Sequence, residues 1–359
     1  MGRLATPAAS RVQRFRQNIG TLAYSSGGSP SINVPQSDYT TSFDILSAQQ
    51  VVVGATAPVI AAQGAFGPIN LVQVNTNGSR HPFALSGYQT DMYDRVRTEP
   101  YASQRTAAPI VTSTTNNWIN DLHVPLTLAE DTTNGAWYTG DTTLQMTLKI
   151  GCAAATAVFS TVNGATIQGS WTVFRECFNA TPPNQNAAWL SAITWYHEVI
   201  SQGTYALSNG TTSIDLPRDQ DYQRIFLSLY TGNDFDATYA PANGLLVTLD
   251  LSINIKIHPF DTVSEEALLF EQVRTYAEQL GNGWYVLDFE RIKDSVRDIL
   301  PTDTANVQIL RLKIASTSSS NSVDVITESV VDNPFAQKWV AMYQAQNPSG
   351  ATGTAQAAA

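Results

Sequence analysis

Apolar and polar residues alternate with a period of two through much of this chain. Leu144, Met146, Leu148 and Ile150 alternate with Gln145, Thr147 and Lys149, which gives one strand an apolar face and a wet face. Leu245, Val247, Leu249, Leu251, Ile253, Ile255 and Ile257 fall on one side, opposite Thr248, Asp250, Ser252, Asn254 and Lys256. That run predicts a single long strand with its odd-numbered residues buried. Leu310, Leu312 and Ile314 alternate with Arg311 and Lys313, while Val323, Val325 and Thr327 alternate less cleanly with Asp324, Ile326 and Glu328. Between such runs stand Asn77-Gly78, Asn134-Gly135, Asn163-Gly164, Asn209-Gly210, Asn243-Gly244 and Asn282-Gly283. Asn-Gly tolerates positive φ and suits tight hairpin turns, so the chain is expected to be all-β.

Three stretches depart from that period. Thr262 with Glu265 makes a capping box, followed by Leu269, Val273, Tyr276 and Leu280 at helical spacing and by Gly281 as a stop. Thr6 and Pro7 lead Val12, Phe15 and Ile19 along one stripe, which predicts a short N-terminal helix. Asn333 and Pro334 lead Phe335, Trp339 and Met342 in the same way near the other end. Residues 21–36, with Ser25, Ser26, Gly27, Gly28, Ser29 and Pro30, read as a linker, and 345–359 as a mobile tail without core-forming residues. Pro182, Pro183 and Asn184 interrupt strand pairing. The expected organisation is a basic helical arm and linker at 1–36, β domains at 37–180 and 185–332, and a C-terminal helix and tail at 333–359. The two domains share no visible sequence repeat; any duplication is inferred from size and strand content alone.

Composition narrows the function. At 359 residues the chain is long enough for two cores, and only 14% of it is charged, against 43% hydrophobic. Neither a membrane span nor a secretory signal peptide is expected from the apolar runs. Cys152 and Cys177 are the only cysteines, and two buried thiols are the expected state. Arg3, Arg11, Arg14 and Arg16 precede the first acid, Asp38; taking those four charges from the net −10 leaves −14 on the rest. The basic arm can therefore meet phosphate on lipid or genome, while the acidic body disfavours sequence-specific nucleic-acid binding.

Candidate chemistry is sparse. The four histidines, His81, His123, His197 and His258, are isolated in sequence, and each is expected as a hydrogen-bonded structural residue. His197-Glu198 lacks a second histidine at ligand spacing. The pairs Asp219/Asp221 and Asp234/Asp236 read as solvated turns. The three N-x-S/T sites at Asn77, Asn179 and Asn209 and the N-terminal Met1-Gly2…Thr6 pattern are short enough to arise by chance. No catalytic, cofactor-binding or metal-ligating residue is expected, and no cofactor.

Short segments resemble one family. Phe66-Gly67-Pro68-Ile69-Asn70-Leu71-Val72-Gln73 followed by a turn and His81, then Val124-Pro125-Leu126 with Ala129, Glu130 and Asp131, then Asn134-Gly135-Ala136 and the strand Leu144 to Ile150, occur in that order. This series is similar to the first barrel of tectivirus-type double jelly-roll major capsid proteins. Gly283-Trp284-Tyr285-Val286-Leu287-Asp288-Phe289, Val307 to Ile314 and Val323 to Val331 suit the close of a second jelly roll. The resemblance implies two antiparallel eight-stranded jelly-roll barrels side by side, a homotrimer with a pseudo-hexagonal outline, and an icosahedral virion shell. It implies a tailless bacteriophage with an internal membrane, and minor capsid and vertex proteins as further partners. On that reading Arg3, Arg11, Arg14, Arg16, Val12, Phe15 and Ile19 form an arm facing the membrane or particle interior, and Phe335, Trp339 and Met342 clamp a neighbouring subunit. The protein would be made in the host cytoplasm and located in the virion capsid. The rival readings are a secreted or surface β-sandwich carbohydrate-binding protein, for which Trp118, Trp137, Trp171, Trp195 and Trp284 would have to be exposed, a β-helix or jelly-roll enzyme, and a single-jelly-roll coat protein with an appended domain.

Overall fold

The computed structural model describes residues 12–97, 106–128, 133–233, 238–276, 280–289, 300–302 and 306–348. Its first eight principal strands are β1 (Gln13–Ala23), β2 (Ser31–Asn33), β3 (Tyr39–Val53), β4 (Ile69–Thr76), β5 (Arg80–Leu85), β6 (Thr114–Asn120, continued by Leu122–Pro125), β7 (Met146–Cys152) and β8 (Thr166–Asn179). Helix α1 (Gly87–Arg97) lies between β5 and β6, and α2 (Ala187–Ile193) follows β8. The second series is β9 (Trp195–Ala206), β10 (Gly210–Asp215), β11 (Asp221–Thr231), β12 (Leu246–Ile253), β13 (Ile257–Ser264), β14 (Trp284–Asp288), β15 (Leu310–Ser316) and β16 (Asn321–Asp332), with α3 (Glu265–Tyr276) between β13 and β14. Helix α4 (Gln337–Gln346) ends the described chain.

Pairing reveals a duplication. One sheet of the first barrel runs β1-β8-β3-β6 and the other β2-β7-β4-β5. The second barrel repeats both orders with each number raised by eight: β9-β16-β11-β14 and β10-β15-β12-β13. The barrels are joined through sheet, because β5 and β9 pair in parallel with Val199 opposite Phe83 and Ile200 opposite Ala84. The sheet β2-β7-β4-β5 thereby continues into β9-β16-β11.

This continuity determines where the cores lie. Tyr196, Val199, Phe226, Trp284, Val286 and Ile326 pack into the cluster that contains Val72, Phe83, Leu148 and Ile150 of the first barrel. Ile225, Leu227, Leu229, Tyr285, Leu287, Val323 and Val325, on the opposite face of the same strands, pack with Leu249, Leu251, Leu312 and Ile314. A strand dry on both faces does not alternate, which explains the blurred pattern across Val323 to Glu328. Leu144, Met146, Leu148 and Ile150, and Leu310, Leu312 and Ile314, are buried as their alternation requires.

Four expectations need correction. The N-terminal helix is instead the strand β1, paired antiparallel with β8 from Gln13 opposite Asn179 to Ala23 opposite Ser170. Ile19 is an extra residue in that ladder, between Asn18 opposite Phe174 and Gly20 opposite Val173. The bulge spaces Phe15, Ile19 and Leu22 by four and three, which imitates a helix. Gly20 is required there, with φ +138° and a position where a Cβ would stand 2.5 Å from Ile32 Cδ1. The linker is also part of the barrel: β2 pairs with β7 and Val34 is buried. Arg175, fully buried on β8, ties both to the body by donating to Gln17 Oε1 (2.6 Å) and to the carbonyls of Pro35 and Ser37 (2.9 Å each). Barrel structure thus begins at β1, before the expected start at 37.

The single strand from Leu245 to Ile257 is the hairpin β12–β13, turning at Asn254 and Ile255 (φ +51° and +62°). Leu249, Leu251 and Ile253 are buried as expected, but Ile255 and Ile257 are exposed, and Val247 bulges outward where the register with β15 shifts. Helix α3 starts two residues later than a Thr262 cap predicts, because Thr262 belongs to β13 and Ser264 accepts from the Ala267 amide (3.3 Å). Leu268 and Gln272 form its buried side, leaving Val273 exposed.

Candidate functional site: the joint between barrels and the open edges

The joint is built from charge. Glu328 of β16 is fully buried and accepts hydrogen bonds from Arg224 Nη1 of β11 (2.9 Å), His197 Nε2 of β9 (2.9 Å) and the Tyr93 hydroxyl of α1 (3.0 Å). Arg97, one helical turn after Tyr93, donates to that hydroxyl at 3.2 Å and to the Thr127 carbonyl. Arg224 also meets Asp288 of β14 (3.5 Å), which accepts from Tyr276 of α3. Burial alone would raise the Glu328 carboxyl, but Arg224 and then His197 overcome it and hold it well below the carboxylate range. Burial, reinforced by Arg97 and Arg224, lowers His197 despite the Glu328 hydrogen bond, so the imidazole is neutral and donates from Nε2. First-barrel α1 is thus fastened to three strands of the second barrel.

The sheet β1-β8-β3-β6 carries a counterpart on its outer face. Arg16 of β1 contacts Asp44 of β3 (2.8 Å) and Glu176 of β8 (3.9 Å), and its guanidinium lies 4.4 Å from the Phe174 ring centroid. His123 of β6 meets Asp44 at 2.8 Å. Burial would raise Asp44, but the hydrogen bond and charge of His123, with Arg16, lower it. Each of these four strands therefore carries a charged or titratable residue, as do β9, β16, β11 and β14, but here the cluster is half-exposed. A cleft of about 220 Å³ adjoins it, lined in part by Arg14, Asp44, His123 and Glu176.

The expected site residues fall into three groups. Arg3 and Arg11 lie outside the described residues, as does Thr6. Arg14, Phe15, Arg16 and Ile19 lie on β1, with Arg14 and Arg16 exposed and Val12 and Ile19 partly buried. Phe335 and Trp339 pack within the chain, 6.1 Å from the Trp137 ring and 5.3 Å from Tyr138. Trp339 donates to Asp141 (3.2 Å), which also takes Lys338, while Met342 is exposed. Asn333 caps this segment by accepting from the Phe335 amide (3.1 Å), as its Asn-Pro start predicts.

Sequence reasoning missed the joint because its residues are far apart: Tyr93 and Glu328 are separated by 235 positions. Each of the five tryptophans proposed for sugar stacking is buried. Cys152 and Cys177 are buried free thiols. His258 lies with Asp250 and Asp261 in one titratable group. Lys313 already supplies a cation to Asp250 at 3.4 Å, and the Asp250 hydrogen bond (2.6 Å) raises His258.

No family model matches the chain, and no curated protein matches it. Solved structures do. The crystal structure of the STIV MCP is 16% identical, with 90% of this chain and 98% of that chain covered at a TM-score of 0.70. The major capsid protein of bacteriophage PM2 is 16% identical, with 89% and 98% covered at a TM-score of 0.60. The PBCV-1 virus capsid model is 9% identical, with 90% and 94% covered at 0.58. The chain is a double jelly roll. In this double jelly roll the duplicated strand orders are the two rolls, and the charged cluster around Glu328 is the seam that fixes one roll against the other.

Proposed function

We propose that this double jelly roll is the major capsid protein of an icosahedral virus, assembling as trimers with a pseudo-hexagonal outline that tile the shell. The observation that carries this reading is the near-complete, two-barrel correspondence with the STIV MCP, which extends over 98% of that chain. The burial of Trp118, Trp137, Trp171, Trp195 and Trp284 leaves the carbohydrate-binding reading without its stacking residues. Exposed Met342 on α4 is the part of the C-terminal segment available to a neighbouring subunit. The finer reading, a tailless bacteriophage with an internal membrane, directs the Arg3 and Arg11 segment ahead of β1 towards anionic lipid, with minor capsid and vertex proteins completing the particle.

Light scattering on the purified chain tests the assembly. A species near 117 kDa, three times the 38.9 kDa chain, is expected. A monomer throughout the micromolar range overturns the reading. Replacing Arg3 and Arg11 by Gln should reduce co-sedimentation with anionic vesicles while leaving the trimer intact; undiminished binding overturns the membrane assignment alone.

A further inference from the structure

The turn between β4 and β5 in the first roll has its equivalent between β12 and β13 in the second, and the two share a backbone but not a surface. Asn77 and Gly78 are left-handed, with φ +49° and +68°, and Asn254 and Ile255 adopt nearly the same pair, +51° and +62°. The first roll places Asn77-Gly78-Ser79-Arg80 there, without an apolar side chain, whereas the second places Asn254-Ile255-Lys256-Ile257. Glycine takes this conformation freely, so the turn itself gives no reason for isoleucine.

Ile255 is 59% and Ile257 61% accessible, and Lys256 is exposed between them. Their support is stiff. The Ile253 carbonyl accepts from the Lys256 amide (3.0 Å), and the Asn254 side chain is tied to Asn306, Gln308 and Ile309. A β-branched residue held left-handed and displayed to water destabilises the turn it sits in, so its place is explained by an outside partner.

The position of the tip identifies that partner. Strand β1 begins opposite the end of β8, with Gln13 facing Asn179, so the chain ahead of β1, with Arg3 and Arg11, joins the first roll at that end. Tyr196 links this end to the second roll: its ring centroid is 5.1 Å from that of Trp137, which pairs with Thr40 beside the Tyr39–Phe178 pair. There β16 finishes, with Asp332 opposite Trp195 and Val330 opposite Asp221. Arg218, just ahead of β11, donates to the Gln308 carbonyl (2.7 Å), and the Gln308 amide donates to Asn254 (2.7 Å). The β12–β13 tip therefore lies at the end of the molecule where the basic segment joins.

We infer that the Ile255-Lys256-Ile257 tip is a second membrane contact, seating its two isoleucines at the acyl-chain boundary of a bilayer with Lys256 at headgroup level. The inference rests on the proposed membrane reading and adds, from the second roll, an apolar contact to the electrostatic one of Arg3 and Arg11. Apolar insertion needs no anionic lipid and resists salt, which separates the two contacts.

Vesicles of phosphatidylcholine alone, and of phosphatidylcholine with phosphatidylglycerol, test it on the full chain. Ile255→Asn with Ile257→Thr suits the hairpin, since Asn tolerates the left-handed position and Thr a strand; Ile255→Gly alone replaces it should thermal melting show the pair unfolded. On neutral vesicles the pair should weaken partitioning by about tenfold or more, whereas Arg3→Gln with Arg11→Gln should leave it unchanged. Ile255→Cys carrying an environment-sensitive fluorophore should shift to the blue on binding. Val111→Cys, exposed ahead of β6 at the opposite end of β3, should not. The native thiols Cys152 and Cys177 are buried. Equal binding by parent and isoleucine variant, or no blue shift from the Ile255→Cys label on bound protein, overturns the inference and leaves the membrane reading standing. So does a parent that binds only anionic vesicles and loses them with the arginines. Loss of self-association in the isoleucine variant, with vesicle binding intact, assigns the tip to another copy and overturns the inference too. A parent that binds neither vesicle overturns the membrane reading itself.

Discussion

The sheets β1-β8-β3-β6 and β9-β16-β11-β14 have the same strand order, and each carries a charged cluster across its four strands, yet one cluster is half-exposed and the other dry. The Arg16–Asp44–Glu176–His123 group faces outward, with Arg16 and Glu176 side chains each 43% accessible. The Arg224–Glu328–His197 group lies between two cores. The same topology therefore places similar chemistry in two dielectric settings, and the cost of losing a partner differs accordingly. In water a lost ion pair is replaced by hydration, whereas inside the protein it leaves a charge that nothing solvates.

The strongest way to break the comparison is to remove one acid from each group. Glu328→Gln removes the nearer of the two carboxylates around buried Arg224, leaving Asp288 at 3.5 Å, and should cost about 3 kcal/mol of stability by urea unfolding. Glu176→Gln should change stability by no more than about 0.5 kcal/mol. Equal costs would mean that the two faces are equally wet, against their burial in the fold.

The same contrast governs what could be read from the sequence. Strands with one wet face, such as β7 and β15, alternate cleanly and are evident from Leu144 to Ile150 and from Leu310 to Ile314. The duplication is hidden because β16 and β11 are buried on both faces while β1, β8 and β3 keep one face partly exposed, so equivalent strands carry different hydrophobic patterns. The bulge at Ile19 turned a strand period into an apparent helical one, and the hairpin at Asn254 and Ile255 was concealed because the alternation runs through it unbroken. The joint was illegible for a different reason. Tyr93, His197, Arg224 and Glu328 have no shared motif; the β9–β16–β11 ladders bring the last three together, and the β5–β9 pairing adds the helix that carries Tyr93.

Register within β12 offers a sharper test on one strand. Ile253→Ala empties a core position and should cost about 2–4 kcal/mol, while Val247→Ala, three repeats of the pleat earlier but bulged into solvent, should cost at most about 0.5 kcal/mol. Similar losses would show that Val247 faces the core and that the bulge opposite Ser316 and Ala315 is misplaced.

A smaller difference separates the buried and exposed histidines by pH. His197 faces Glu328, Tyr93, Arg97 and Arg224, and its folded value lies below the ordinary 6.5. Its contribution is therefore complete above that value and is lost as pH falls through it, since the unfolded chain takes up the proton first. His258, raised by Asp250, has the opposite sign: its contribution is complete below 6.5 and disappears as pH rises through the folded value. Unfolding midpoints compared between pH 7 and pH 5 should fall for the parent protein and fall less for His197→Gln. An unchanged slope would mean that His197 does not titrate between the two states.

The smallest effect concerns the turns. Asn77-Gly78 and Asn163-Gly164 place glycine at the second left-handed position, with φ +68° and +75°. The β12–β13 hairpin places Ile255 there instead, at +62°, where a β-branched side chain crowds its own backbone. The turn is held from outside: the Asn254 side chain donates to the Asn306 carbonyl (2.8 Å) and accepts from the amides of Gln308 (2.7 Å) and Ile309 (3.1 Å). Those bonds keep the backbone in place whatever occupies position 255, so relief of the crowding should appear as stability and not as a changed loop. A left-handed conformation costs an ordinary residue roughly 1–2 kcal/mol, and glycine returns about half of that through its freer unfolded chain. Ile255→Gly should therefore stabilise the protein by about 0.5–1 kcal/mol, read as a higher urea midpoint with an unchanged slope, and Gly78→Ile should destabilise it by a similar amount or more. A lower midpoint for Ile255→Gly would show that the exposed isoleucine makes contacts that outweigh its strained backbone.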